Sequence, residues 1–232
     1  MQRRPGFCRA RQTGCRVAGK MVIWRIRPFM NQFHDTARES DVLAALRQAT
    51  AARHERLDSG LPLSAPDATL ADYAAHLQLL RAWLAPLQGW LSGFGDGPQG
   101  ASGLPPAPHL ALIEADLADP ALAGHALPAV TGGAGWPSGA SAAYRWGVAY
   151  VVEGSQLGGA VLYKRLAGQL APHPLRYLRG AGEEGPGPRW RAFMQALRAE
   201  VRGEEAVAEA CAGACDAFDR ILGLAFGTAP GH

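Results

Sequence analysis

The sequence predicts an all-α fold in which a single domain contains six or seven helices. Three observations predict it: apolar residues recur at helical spacing over several long segments, Gly/Pro-rich stretches separate these segments, and no convincing strand alternation is present. Residues 148–152 could form a short buried strand, but their flanks continue at the helical period. With 48% hydrophobic and 19% charged residues, the 232-residue chain can bury one sizeable core and is too apolar to be mostly disordered.

The first predicted helix covers residues 39–59. Thr36 and Glu39 have the spacing of a capping box at its start, and Gly60 and Pro62 end it. One face carries residues at steps of three and four, as a buried helix face requires: Leu43, Leu46, Thr50, His54 and Leu57.

A second helix is predicted from Asp67 or Thr69 to about Leu91, and we expect Pro86 to kink or split it. A shorter helix follows at 109–118. The remaining helices are predicted over 140–166, 189–201 and 204–226, with loops or irregular chain over 93–108, 119–139 and 167–188.

The start of the chain differs in charge from the rest. Residues 1–29 carry eight basic residues and no acidic ones, so the rest of the chain is mildly acidic although the net charge is +3. The segment lacks the apolar core of a secretory signal. We expect residues 1–35 to be a basic, unstructured extension before a helical domain at 36–228. A misassigned start, with Met21 or Met30 as the true first residue, a transit peptide and a polyanion-binding arm are the alternatives.

Composition also narrows the function classes. The 23 basic and 20 acidic residues exclude a strongly basic nucleic-acid binder, and no run of 18 apolar residues is available to span a membrane. Four cysteines are too few for a disulfide scaffold at this length, so we expect a reduced, cytoplasmic location. They are Cys8, Cys15, Cys211 and Cys215.

The first segment that could carry chemistry is residues 46–58, LRQATAARHERLD. His54 lies on the apolar face of its helix, and Asp58 follows one turn later on the same face. A carboxylate there can accept the Nδ1 proton and leave Nε2 as a metal ligand. Arg47 lies two turns earlier on the same side, where its charge could meet an anionic group of a ligand that His54 holds. The alternative is a histidine satisfied within the core.

The second segment is the glycine-rich part of the helix at 140–166. Glycine in a helix interior costs about 0.5–1 kcal/mol relative to alanine, so four glycines need a reason. Either another helix packs closely against the bare backbone, or a flat ligand lies on it; Ser155 supplies a hydroxyl beside that face. The four residues are Gly147, Gly154, Gly158 and Gly159.

Together the two segments resemble the heme oxygenase family. The string LRQATAARHERLD resembles its proximal-helix motif, and YVVEGSQLGGAVL, at residues 150–162, resembles its distal-helix motif. Within this family, the sequence resembles the bacterial branch more than the other members. That branch includes enzymes that supply biliverdin to bacterial phytochromes. The resemblance covers about residues 39–226 and implies a single-domain, multi-helix heme oxygenase-like bundle.

The resemblance assigns roles to the proximal segment. It implies that His54 is the axial ligand of the heme iron and that Asp58 helps to orient its ring. Arg47 matches a basic position that pairs with a heme propionate. Two further residues are implied as propionate contacts: Tyr150, which is one position away from the family's tyrosine, and Arg191.

The resemblance also assigns roles to the distal segment. Gly154, Gly158 and Gly159 match the glycines that let the distal helix lie over the heme and steer oxidation toward one meso carbon. Some members carry an aspartate directly after the first glycine, where it organises a water that supplies a proton. This chain has Ser155 there, as the bacterial branch does, so the water network must be built differently.

The implied reaction is the cleavage of heme by O2 to biliverdin, Fe2+ and CO, with heme as both substrate and cofactor. Electrons must come from an external donor of the ferredoxin or flavin reductase type, since the sequence has no flavin or nicotinamide fingerprint. A bacteriophytochrome is the implied acceptor of biliverdin. One alternative is a non-catalytic heme-binding or heme-transfer protein of the same fold. The other is a hydrolase or di-metal oxidase of the same helical superfamily. A thiaminase-like hydrolase would need Cys211 or Cys215 as its nucleophile, and a di-metal oxidase would need repeated Glu-x-x-His ligands, which the sequence lacks.

Overall fold

The computed structural model describes residues 41–125, 135–182 and 184–227. The all-α prediction is confirmed, because these residues form α-helices and no strand. The expected extension at 1–35 and the capping box of Thr36 and Glu39 lie outside the described residues. The helices are α1 (Val42–Gly60), α2 (Leu70–Leu91), α3 (His109–Leu117), α4 (Ala142–Leu166), α5 (Arg176–Arg179), α6 (Gly187–Glu200) and α7 (Glu204–Phe226).

Side-chain caps set the starts of the first two helices. α1 begins three residues later than predicted, because the Asp41 carboxylate accepts a hydrogen bond from the backbone N–H of Leu43 at 3.2 Å. α2 begins where one of its predicted caps lies. The Thr69 hydroxyl accepts from the Asp72 N–H at 3.3 Å, and the Asp72 carboxylate accepts from the Thr69 N–H at 2.8 Å.

Pro86 lies inside α2, which is one uninterrupted helix. The predicted split at this residue is therefore wrong, whereas the alternative of a kink stays a prediction. Leu84 and Leu87, on either side of the proline, are both buried in the same core. Burial on both sides outweighs the loss of one backbone hydrogen bond.

The segment 167–188, predicted to be irregular, contains the short helix α5 and the start of α6. Four residues are too few for a periodic pattern, so sequence reasoning missed α5. A carboxylate from elsewhere in the chain anchors it: the fully buried Asp116 of α3 accepts from the backbone N–H of Tyr177 at 2.9 Å and from the Arg176 guanidinium at 3.1 Å. Tertiary structure therefore stabilises this turn.

The central helix is α7, which packs along α4 and α1 and also contacts α2. α1 and α4 lie against α7 and share no extended contact with each other. α4 in turn packs against α5 and α6. The two segments singled out in the sequence thus lie on two helices that both pack against α7.

None of the helices within the described residues is both long and apolar enough to cross a membrane.

Candidate functional site

His54 and Asp58 form a pair on α1. The His54 Nδ1 lies 3.4 Å from the Asp58 Oδ2, and the carboxylate is buried whereas 32% of the imidazole side chain is exposed. Phe218 of α7 packs against the imidazole, with 5.5 Å between ring centroids. The one-turn spacing on α1 thus directs Nδ1 toward a carboxylate and Nε2 away from it, the orientation that a metal-binding histidine needs.

Arg47 of α1 lies close enough to Tyr150 of α4 for its charge to act on the Tyr150 hydroxyl. Burial raises the pKa of Tyr150 to about 12, while the positive charge of Arg47 acts in the opposite direction. The Arg47 Nε is buried and has no hydrogen-bond partner among the described residues. A buried guanidinium nitrogen in this state suits an anionic ligand, because an unpaired buried donor costs free energy.

Two glycines allow α4 and α7 to cross at close range. A Cβ built at Gly147 would overlap the carbonyl oxygen of Ala210, and one at Gly213 would overlap that of Tyr144. Neither helix could approach the other this closely with a side chain at these positions. Close helix packing, one of the two alternatives for the α4 glycines, therefore accounts for Gly147.

The later glycines of α4 meet other neighbours. A Cβ at Gly154 would lie 3.7 Å from the Trp190 ring, and one at Gly159 would lie 3.8 Å from the backbone of Leu178; both are ordinary contact distances. Gly158 is buried. The ligand-binding role of these glycines stays a prediction, and at Gly154 a ligand would have to share the surface with Trp190.

Ser155 makes its hydrogen bonds on the side of α4 toward α5. Its hydroxyl donates to the Val152 carbonyl oxygen at 2.7 Å, which commits the only proton it can donate. The Gln156 amide donates to the Tyr177 hydroxyl at 2.9 Å and approaches the Ser155 oxygen at 3.4 Å. In this conformation Ser155 can act toward a ligand only as an acceptor.

Arg189, which sequence reasoning did not single out, faces α4, whereas the propionate contact of Arg191 stays a prediction. The Arg189 guanidinium donates two hydrogen bonds to the Glu153 carboxylate of α4, at 2.8 and 2.6 Å, whereas Arg191 is exposed. Two residues along a helix are about 200° apart, so one of these arginines faces α4 and the other does not. Trp190 and Phe193 are both buried and mark the face of α6 that packs against the core. Their positions in the sequence could have indicated which arginine faces α4.

The cysteines do not have the environment of a nucleophile. Burial raises the pKa of both Cys211 and Cys215, which lowers the fraction of reactive thiolate at neutral pH. Across the described ranges, no group of three or more His, Cys, Asp or Glu side chains is arranged to hold a metal ion. Neither finding favours the thiaminase-like or di-metal alternative.

Comparison with known proteins finds similarity over part of the chain. The chain is 41% identical over 80 residues to a protein of Xanthomonas campestris pv. campestris (strain 8004) named heme oxygenase. The alignment covers 34% of this chain and 47% of the relative, so the chain spans about half the length of the curated relative that it matches. No protein-family model matches the chain.

Proposed function

We propose that this chain is a heme oxygenase, which uses dioxygen and external electrons to cleave heme to biliverdin, Fe2+ and CO. The observation that carries the proposal is the His54–Asp58 pair on α1, in which Nδ1 lies 3.4 Å from the buried carboxylate and Nε2 is left for a ligand. Arg47 lies two turns earlier on α1. The name of the Xanthomonas relative supports the same activity.

In this proposal, bound heme supplies the iron that activates dioxygen and is itself oxidised. His54 binds the iron through Nε2, while Asp58, 3.4 Å from Nδ1, orients the ring. The buried Nε of Arg47 pairs with a propionate carboxylate, which suits a donor that has no partner within the described residues. Gly154 and Gly158 keep α4 free of side chains beside the ring.

The proposal extends to the proteins that would act with this chain. We expect a ferredoxin or flavin reductase type of donor to deliver electrons in the cytoplasm. A bacteriophytochrome would accept the biliverdin, because the sequence resembles the bacterial branch.

A heme-binding or heme-transfer protein of the same fold is the second candidate. One observation favours it: the Ser155 hydroxyl, at the position where some heme oxygenases have an acidic residue, donates to its own helix. A carrier needs His54 and Arg47 but no proton donor on α4. Turnover separates the two candidates.

The test is optical. One equivalent of hemin is added to the purified chain, and a reductant with a working electron donor is then supplied in air. A sharp Soret band that decays into the broad red absorption of biliverdin would support the oxygenase. A sharp band that persists would favour the carrier, and an unchanged hemin spectrum would refute both.

Replacement of the proposed ligand tests the assignment of His54. We expect His54→Ala to lose the native Soret spectrum and turnover while its far-ultraviolet circular dichroism stays helical, and added imidazole should restore part of the spectrum. His125→Ala is the matched control, since His125 lies in a loop after α3 and should bind hemin normally. Normal turnover by His54→Ala without imidazole would show that another residue binds the iron.

A further inference from the structure

A cavity of about 640 Å³ lies between α2, α3, α4 and α6. This volume is within the range of roughly 300–1,000 Å³ that is typical of small-molecule sites. From α4 it takes Ala149, Val152 and Glu153, which lie on a different side of the helix from Gly154. Neither α1 nor α7 lines it, so it is separate from the surface that carries His54.

The lining is mostly apolar. Leu84, Leu87 and Leu91 project from α2, and the rings of Trp146 and Phe193 line it from α4 and α6. Leucine side chains with flat aromatic rings favour a flat, apolar occupant.

Three lining residues carry a buried polar atom with no hydrogen-bond partner among the described residues. They are the Gln99 amide oxygen, the His109 Nε2 and the Trp146 indole nitrogen. The first is an acceptor, the indole is a donor, and an imidazole nitrogen can be either. Each such group costs about 1–3 kcal/mol while it stays unpaired, so three around one cavity favour an occupant with complementary groups.

The charges of the lining cancel. Glu153 and Arg189 form a two-bond ion pair with each other, which leaves neither charge for a ligand. Burial lowers the pKa of His109, so its ring is neutral at neutral pH. A charged ligand would find no counter-charge here, which argues against a dicarboxylate such as heme.

We propose that this cavity is a second binding site, which takes a neutral, flat and largely apolar molecule with both a hydrogen-bond donor and an acceptor. Its donor would bond to the Gln99 amide oxygen, and its acceptor would bond to the Trp146 indole or to His109. All three atoms are buried, so binding requires their side chains to rotate toward the cavity. The proposal does not depend on heme oxygenase activity.

Carbostyril is a suitable probe, because this flat, neutral lactam has one N–H and one C=O. We expect calorimetric titration to give one saturable site, and binding about tenfold tighter than that of N-methyl carbostyril, since methylation removes a donor worth about 1.4 kcal/mol. Binding should persist on the hemin-loaded protein. Absence of saturable binding, or competition with hemin, would overturn the proposal.

Two variants locate the site. Ala149→Phe should fill the cavity and abolish carbostyril binding, whereas Val161→Phe, on an exposed part of the same helix, should leave it unchanged. Gln99→Leu, a milder change in a short helical turn, should remove the preference for carbostyril over its N-methyl derivative. Equal binding by the two phenylalanine variants, or an unchanged preference in Gln99→Leu, would show that the probe binds elsewhere.

Discussion

Gly147, in the first half of α4, meets the backbone of another helix, whereas Gly154, one turn past Tyr150, meets an aromatic side chain. At Gly147 the neighbour is a carbonyl of α7, and at Gly154 it is the ring of Trp190. A carbonyl within a packed helix cannot move without moving the helix, but an aromatic ring can rotate. Two glycines of one helix, seven residues apart, therefore have different roles in packing: the helix crossing requires Gly147, whereas a side chain at Gly154 would make only an ordinary contact.

Gly147→Ala should have the largest effect. Because its Cβ would overlap the Ala210 carbonyl oxygen, we expect the free energy of unfolding to fall by about 3 kcal/mol or more. Urea denaturation measures this loss. Gly89→Ala is the control, since nothing lies within 4 Å of its Cβ in α2, and it should stabilise the protein by about 0.5–1 kcal/mol. Similar stabilities for the two variants would show that the helix crossing does not require glycine at position 147.

Gly154→Ala should leave the fold intact and reduce turnover. Its Cβ would lie 3.7 Å from Trp190, so the free energy of unfolding should change by less than about 1 kcal/mol. We expect heme turnover to fall about tenfold, because a methyl group on this face displaces the ligand slightly. Single-turnover spectroscopy measures it, with Gly168→Ala, which has open space around its Cβ, as the control. Undiminished turnover would show that Gly154 contributes to helix packing and not to ligand binding.

Tyr150 gives a smaller, pH-dependent effect. Burial raises its pKa to about 12 in the folded protein, above the unfolded value near 10, so the folded state holds the proton more tightly. The associated stability is fully present below about pH 10 and is lost as the pH rises toward 12. Urea denaturation should show that Tyr150→Phe loses about 1 kcal/mol less stability than the parent between pH 9 and 11. Equal losses of stability in the parent and in Tyr150→Phe would show that the Tyr150 hydroxyl is exposed to solvent.

Ser155→Ala should have the smallest effect. Its hydroxyl donates to the Val152 carbonyl within α4, so its removal leaves the helix bonds intact and should change turnover by less than about twofold. The rate of biliverdin formation measures this change. A loss of about tenfold or more would mean that the hydroxyl leaves Val152 and donates a proton during the reaction.

The parts of the candidate site that lie within one helix were predictable. His54 and Asp58 are one turn apart, so helical geometry alone brings the pair together, and the Thr69 cap followed from local residue types. The pairing of Arg189 with Glu153 was not predictable in this way. It depends on which face of α6 meets Glu153, a contact between helices that are distant in the chain.

Local sequence patterns predict the all-α class, the approximate helix bounds and the residues that share one helix face, because the helical period and the caps are local properties. Three other features appear only once the helices are packed together: Gly147 permits the crossing with α7, Asp116 anchors α5, and Arg47 comes within electrostatic reach of Tyr150. These relations depend on the distances and angles between helices. Those follow from the packing of the whole core, which no local pattern encodes.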